Sequence, residues 1–173
     1  MDDEILKVMG RQHTVQDVYD SMIMLREANI TSISIDLICG QVPGLTLSKW
    51  ITTLQKAANL YPNHMSVYDL QLERGTIFDK WYKRTSKKYD GIMNSNNTID
   101  RYNATKIFPT VEDSAFMYKY TSGYLRSRGY EHYEISSYAA PGRKNYNHTN
   151  RSQHNSLYWE PNSQWIGRIF GIF

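Results

Sequence analysis

From residue 14 onward the apolar positions recur at helical spacing, with Val15, Val18, Met22 and Leu25 on one face. Thr14 stands where an N-cap belongs and Asp17 follows three residues later, a capping-box arrangement with Asp in place of Glu. This predicts a helix that opens at Thr14 and stops at Asn29. The period then changes. Ser32 to Ile38 reads as a strand by its β-branched content, closed by Cys39-Gly40 and a turn around Pro43-Gly44. A second helix is predicted near Thr46, where Leu47, Trp50, Ile51, Leu54 and Ala58 make an apolar stripe that ends at Tyr61-Pro62. His64 to Leu70 reads as a second strand.

Helix, strand, helix, strand with short connections is the signature of a parallel sheet with crossover helices. That order fits a barrel segment or an open doubly wound sheet equally well. Between Lys83 and Lys106 the periodicity lapses. Lys83 to Lys88 is a basic run and Asn94 to Asn97 is polar, so the stretch reads as a flexible surface insertion. The rival reading, a nucleic-acid patch, has only Tyr89 as an adjoining aromatic and is the weaker of the two. A third helix is predicted after Pro109, capped by Thr110 with Asp113 behind it, with Phe116, Met117, Tyr120 and Tyr124 as its stripe and Gly129 as its stop. Tyr130 to Tyr138 reads as one further strand. Pro141 to Asn155 is loop-like, and Trp165 to Phe173 is apolar, as befits a buried segment or a chain cut short.

Composition narrows the classes. At 173 residues, 40% hydrophobic and 21% charged, the chain can build one core of ordinary size. A net charge of +3, from 20 Lys+Arg against 17 Asp+Glu, is too even to imply a nucleic-acid partner. Charges interrupt every hydrophobic stretch, so no membrane span is expected. The acidic opening Met1-Asp2-Asp3-Glu4 is unlike a targeting peptide. There is one cysteine, Cys39. It excludes an internal disulfide, and alone it cannot supply the several thiolates of an ordinary iron–sulfur cluster.

Five spaced segments line up in order. Met9 to Thr14 is similar to a G-R-x-H segment, and Ile35 to Gly40 with Pro43 and Thr46 to a D-L-I-x-G-L-P-x-Q-T strand and turn. His64 to Thr76 resembles H-x-S-x-Y-x-L-x-x-E-x-x-T; Gly129-Tyr130 with Tyr133 to Ser136 resembles G-Y-x-x-Y-E-I-S; His154 to Trp159 is an intact H-N-x-x-Y-W. Together they resemble the HemW/HemN branch of the radical SAM proteins. The family's N-terminal half, with its three-cysteine motif and glycine-rich SAM segment, has no counterpart here. The turn after Gly40 is one residue longer than the pattern, and Ile169 stands where the family has glycine. These departures fit a fragment, a degenerate copy or an imperfect gene model. The resemblance implies an α/β fold: later strands of a partial (β/α) radical-SAM barrel plus the start of an appended C-terminal region. On that basis residues 1–82 hold later barrel units, 83–108 the insertion, and 109–173 the last helix and strand with the H-N-x-x-Y-W region.

The same resemblance implies sites and ligands. Arg11 lies at the position the family uses near the carboxylate of S-adenosylmethionine (SAM), where a guanidinium fork suits the task; apart from the motif it is a surface arginine before a helix. Asp36, read as ending a parallel strand, is implied as a SAM contact, though such an Asp is as often a turn former. Gln71 maps to a SAM-adjacent backbone position. His154, Asn155, Tyr158 and Trp159 form the motif of the heme-chaperone branch. Imidazole can ligate heme iron and the rings can stack on a porphyrin, while the plain alternative is a loop anchored by the same side chains. His13, His64, His132 and His148 share no metal-ligand spacing. The resemblance thus implies heme or porphyrin as ligand, an apo-hemoprotein as client, and SAM with a 4Fe-4S cluster for the full-length family, whose cluster ligands are absent here. It implies a cytoplasmic protein, or a mitochondrial one for a full-length form. Three functions follow from these readings: a HemW-like heme chaperone, an enzyme resembling oxygen-independent coproporphyrinogen III oxidase, and an inactive fragment.

Overall fold

The computed structural model describes residues 1–93 and 108–141. Its element order is α1 (Asp3–Val8), α2 (Val15–Glu27), β1 (Ser34–Gly40), α3 (Leu47–Ala58), β2 (His64–Leu70), α4 (Ile77–Met93), α5 (Val111–Ser127), β3 (Glu131–Glu134) and β4 (Ser137–Ala139). The sheet order is β1-β2-β4-β3. β1 and β2 pair in parallel, Ser34 opposite His64 through Gly40 opposite Leu70, with α3 as their connection. This is the expected crossover unit. β4 then runs antiparallel to β2, and β3 antiparallel to β4, so the sheet is mixed.

The sheet separates two chemistries. Ile35, Leu37, Cys39, Met65, Val67 and Tyr138 share one face and are buried in the core with Met22, Leu25, Trp50, Leu54, Met117 and Leu125 from the helices. Alternation places Ser34, Asp36, His64, Ser66 and Ser137 on the opposite face. The caps read from the sequence hold. Thr14 and Asp17 exchange both capping-box bonds, as do Thr110 and Asp113, while Thr46 accepts from Lys49 N. Asn29 ends α2 in the left-handed region at φ 57°, and Gly129 follows α5 at φ 87°.

Four expectations need correction. Strand β1 begins at Ser34 and reaches Gly40, two residues later than the β-branched run suggests at each end, so Asp36 lies within the strand and not at its end. The basic run Lys83 to Lys88 belongs to helix α4 and is not loop; the remainder of the expected insertion, 94–107, lies outside the described residues. The reason for α4 is local. Thr76 Oγ1 accepts from Asp79 N at 3.2 Å, and the Asp79 carboxylate accepts from Gly75 N at 2.8 Å and Lys83 Nζ at 2.8 Å. On α5 the buried row is Met117, Thr121 and Leu125, while Phe116 is 47% exposed. Thr121 counts as polar in a hydropathy pattern but is buried because its hydroxyl is satisfied. Finally, Tyr130 to Tyr138 is two short strands with a turn at 135–136, anchored where Val67 N donates to Ser136 O at 2.7 Å. The C-terminal apolar stretch, 165–173, lies outside the described residues.

Candidate functional site

Short α1 gathers the first turns of two longer helices at one end of the sheet. Lys49, in the first turn of α3, pairs with Asp2 at 3.0 Å and Glu4 at 2.9 Å, and Val15 N at the start of α2 donates to Asp3 at 2.7 Å. Since α3 follows β1 after a short turn, this is the carboxyl end of the parallel strands. In α/β sheets ligands gather there. Arg11, three residues before the α2 cap, therefore sits at that end, held by Arg11 N donating to Leu6 O at 2.9 Å. Its Nε is buried and has no hydrogen-bond partner. A buried guanidinium nitrogen without an acceptor suits an incoming carboxylate.

Gln71 follows β2 directly and is exposed at the same end. Asp36 is half-buried on the polar face, four residues below Gly40. At about 3.3 Å per residue, that puts it roughly 13 Å from the strand terminus. The structure thus brings Arg11 and Gln71 to one end and sets Asp36 deeper in the sheet. His154, Asn155, Tyr158 and Trp159 lie outside the described residues.

Two features escape a motif search. Gly40 has φ +78°, and a Cβ there would fall inside the Asp69 carboxylate. Burial pushes the Asp69 carboxyl above the ordinary range. So the mouth of the β1–β2 pair holds a carboxyl group packed against Gly40, and a side chain at that position would have to displace it. The turn glycine after β1 was the signal for it. Second, His64 is buried and links three strands: its Nδ1 lies 3.0 Å from the Ser34 hydroxyl and its Nε2 2.8 Å from the Tyr133 hydroxyl. His132 is tied into the β3–β4 turn, with Nε2 3.2 Å from Ile135 O, and to α5, with Nδ1 3.2 Å from Ser122 Oγ; its ring stacks on Tyr138 at 4.3 Å.

Cys39 belongs to the apolar face. It is 3% exposed, and burial pushes its thiol up to about 12. A cluster or metal needs thiolate, so this residue does not fit that role. Among the described residues no group of three or more His, Cys, Asp or Glu could hold a metal ion. Nor, among them, is any helix long and apolar enough to cross a membrane.

No protein-family model matches the chain. The heme chaperone HemW of Synechocystis sp. is 32% identical over 157 residues, which cover 91% of this chain and 32% of that protein. HemW of Lactococcus lactis is 32% identical over 163 residues, 94% of this chain and 36% of that protein. The chain spans about a third of the length of these relatives. Among solved structures, coproporphyrinogen III oxidase (HemN) from Escherichia coli, a radical SAM enzyme, matches with a TM-score of 0.56 at 19% identity, over 83% of this chain and 28% of that one. That likeness is one of fold. Sequence kinship runs along nearly the whole chain and the α/β architecture is shared, so the chain is similar in sequence to the HemW heme chaperones and in fold to the radical SAM enzyme HemN.

Proposed function

We propose that this chain serves heme handling, as a HemW-like heme chaperone that holds heme for delivery to apo-hemoproteins. The observation that carries the reading is its kinship with relatives named heme chaperones, along 91% and 94% of its own length. The intact H-N-x-x-Y-W at 154–159 supplies suitable groups. In this reading His154 would ligate the heme iron, Tyr158 and Trp159 would stack on the macrocycle, and Asn155 belongs to the same motif.

Arg11, Asp36 and Gln71 form a SAM-binding set in the same reading, with Arg11 taking the carboxylate. The unpartnered Arg11 Nε at the carboxyl end of the strands supports that assignment. In a closed β/α barrel the helices lie outside, so the polar face bearing Asp36 would line the interior. When bound, a cluster and SAM together supply radical chemistry. The residues present here do not hold the cluster.

An alternative is an enzyme resembling oxygen-independent coproporphyrinogen III oxidase, favoured by the fold likeness to HemN. It requires cluster thiolates that a chain with one cysteine, buried in its core, does not provide. Retention of heme through gel filtration tests the chaperone reading. Heme that co-elutes with the chain near one equivalent supports it, and heme that separates completely opposes it in favour of a fragment without independent function.

A further inference from the structure

Helix α4 carries an outward stripe that its own core does not use. Ile77 is 80% exposed and Trp81 40%, and their four-residue spacing puts them on one face. Tyr82, 39% exposed, stands beside Trp81. Phe108, itself 6% exposed, braces both rings edge-to-face, at 5.8 Å and 80° to Trp81 and at 5.3 Å and 88° to Tyr82. The two rings are thus positioned while part of their surface stays open.

The charges beside the stripe are divided. Asp79 lies on the buried side of the helix, where Lys83 neutralises it. Lys80 and Arg84 are exposed, also four apart, and enter no ion pair among the described residues. At about 100° per residue, Arg84 falls about 20° and Lys80 about 60° from Ile77, on the flank that leads round to Lys83. An apolar aromatic strip edged by two free cations about 6 Å apart complements a flat aromatic ring system bearing two carboxylates.

We propose that this face of α4 is a docking surface for a porphyrin dicarboxylate, with Trp81 under the ring and Lys80 and Arg84 at the propionates. The proposal rests on the heme-handling reading and adds to it a site separate from residues 154–159. It needs no iron ligand.

The test uses metal-free protoporphyrin IX, which His154 cannot ligate through iron, titrated by fluorescence against the full chain. Saturable binding is expected, about tenfold weaker in Trp81→Leu, the worth of one good ring contact. Lys80→Gln with Arg84→Gln should weaken binding and flatten its salt dependence. Met24→Ala, at an exposed position of α2 outside both sites, should bind the metal-free ring as the parent does. Circular dichroism confirms that each exposed-site variant stays folded. Equal affinity in the parent and both α4 variants would overturn the proposal, and so would an equal loss of binding in Met24→Ala. If hemin binds through His154 while the α4 variants change nothing, the α4 surface fails and the heme reading stands. If neither hemin nor the metal-free ring binds, the heme reading fails with it.

Discussion

Trp50 Nε1 donates to Thr121 Oγ1 at 3.1 Å in the buried contact between α3 and α5, and the same hydroxyl donates to Met117 O at 2.7 Å. Both side chains are 1% exposed. The pair satisfies the indole N–H inside the core and fixes how two covering helices meet over the sheet. Thr121→Val keeps the shape and strands that N–H, so it should cost about 1–3 kcal/mol of stability. Urea unfolding measures it, with Thr121→Ser recovering most of the loss. A valine variant as stable as the parent would show that the bond contributes nothing.

Gly40 and Asp69 form a second pair of dependent residues. Gly40→Ala puts a methyl group into the Asp69 carboxyl at a left-handed backbone position, a combined strain of about 2 kcal/mol or more. Asp69→Ala removes the obstacle but not the backbone strain. The double variant should therefore recover part of the loss, read as a positive coupling in a double-mutant cycle. Strict additivity would rule out the collision.

Alkaline pH should weaken the fold. Burial pushes the Cys39 thiol from 9.0 to about 12, and the Tyr130 and Tyr138 phenols from 10.0 to about 12. The folded chain therefore holds these protons more tightly than the unfolded chain does. That stabilising contribution is complete below pH 9 and is lost as pH rises from 9 through 12. The unfolding midpoint in urea should fall steadily between pH 9 and 11. Iodoacetamide at pH 8 should label Cys39 only after unfolding. Rapid labelling of the native chain would contradict its place in the core.

Arg11 supplies a test at the strand ends. S-adenosylhomocysteine, which carries the same amino-acid carboxylate as SAM, should bind the chain about tenfold more weakly after Arg11→Gln, the worth of a charged hydrogen bond. Calorimetry gives the affinity. Equal binding by parent and variant would detach Arg11 from the carboxylate.

Much of this fold can be read from local signals. Thr14, Thr46 and Thr110 mark three helix starts because an N-cap is decided by residues three apart. His64 to Leu70 is a strand with the bounds its sequence suggests. What local pattern misses is decided at a distance or by pairing. Thr121 is buried only because Trp50 reaches it, so the α5 stripe shifts by one residue. Lys83 looks like part of a charge run until Asp79 is seen to bind it and help cap α4. Tyr130 to Tyr138 alternates across a turn that only the pairing of Ser137 with Ser66 exposes. At the site, Arg11 before α2 and Gln71 after β2 share one end of the sheet. Asp36 does not, because β1 runs two residues further than its β-branched core. Gly40 signals a turn, but nothing local in the sequence pairs it with Asp69.

The most direct measurement of the heme reading is a hemin titration followed by visible absorption, on this chain and on His154→Ala. A saturable Soret shift in the parent, weakened at least tenfold or altered in position in the variant, is the expected result. An identical saturable shift in both would remove His154 as the ligand. No saturation in either would contradict heme binding by this chain.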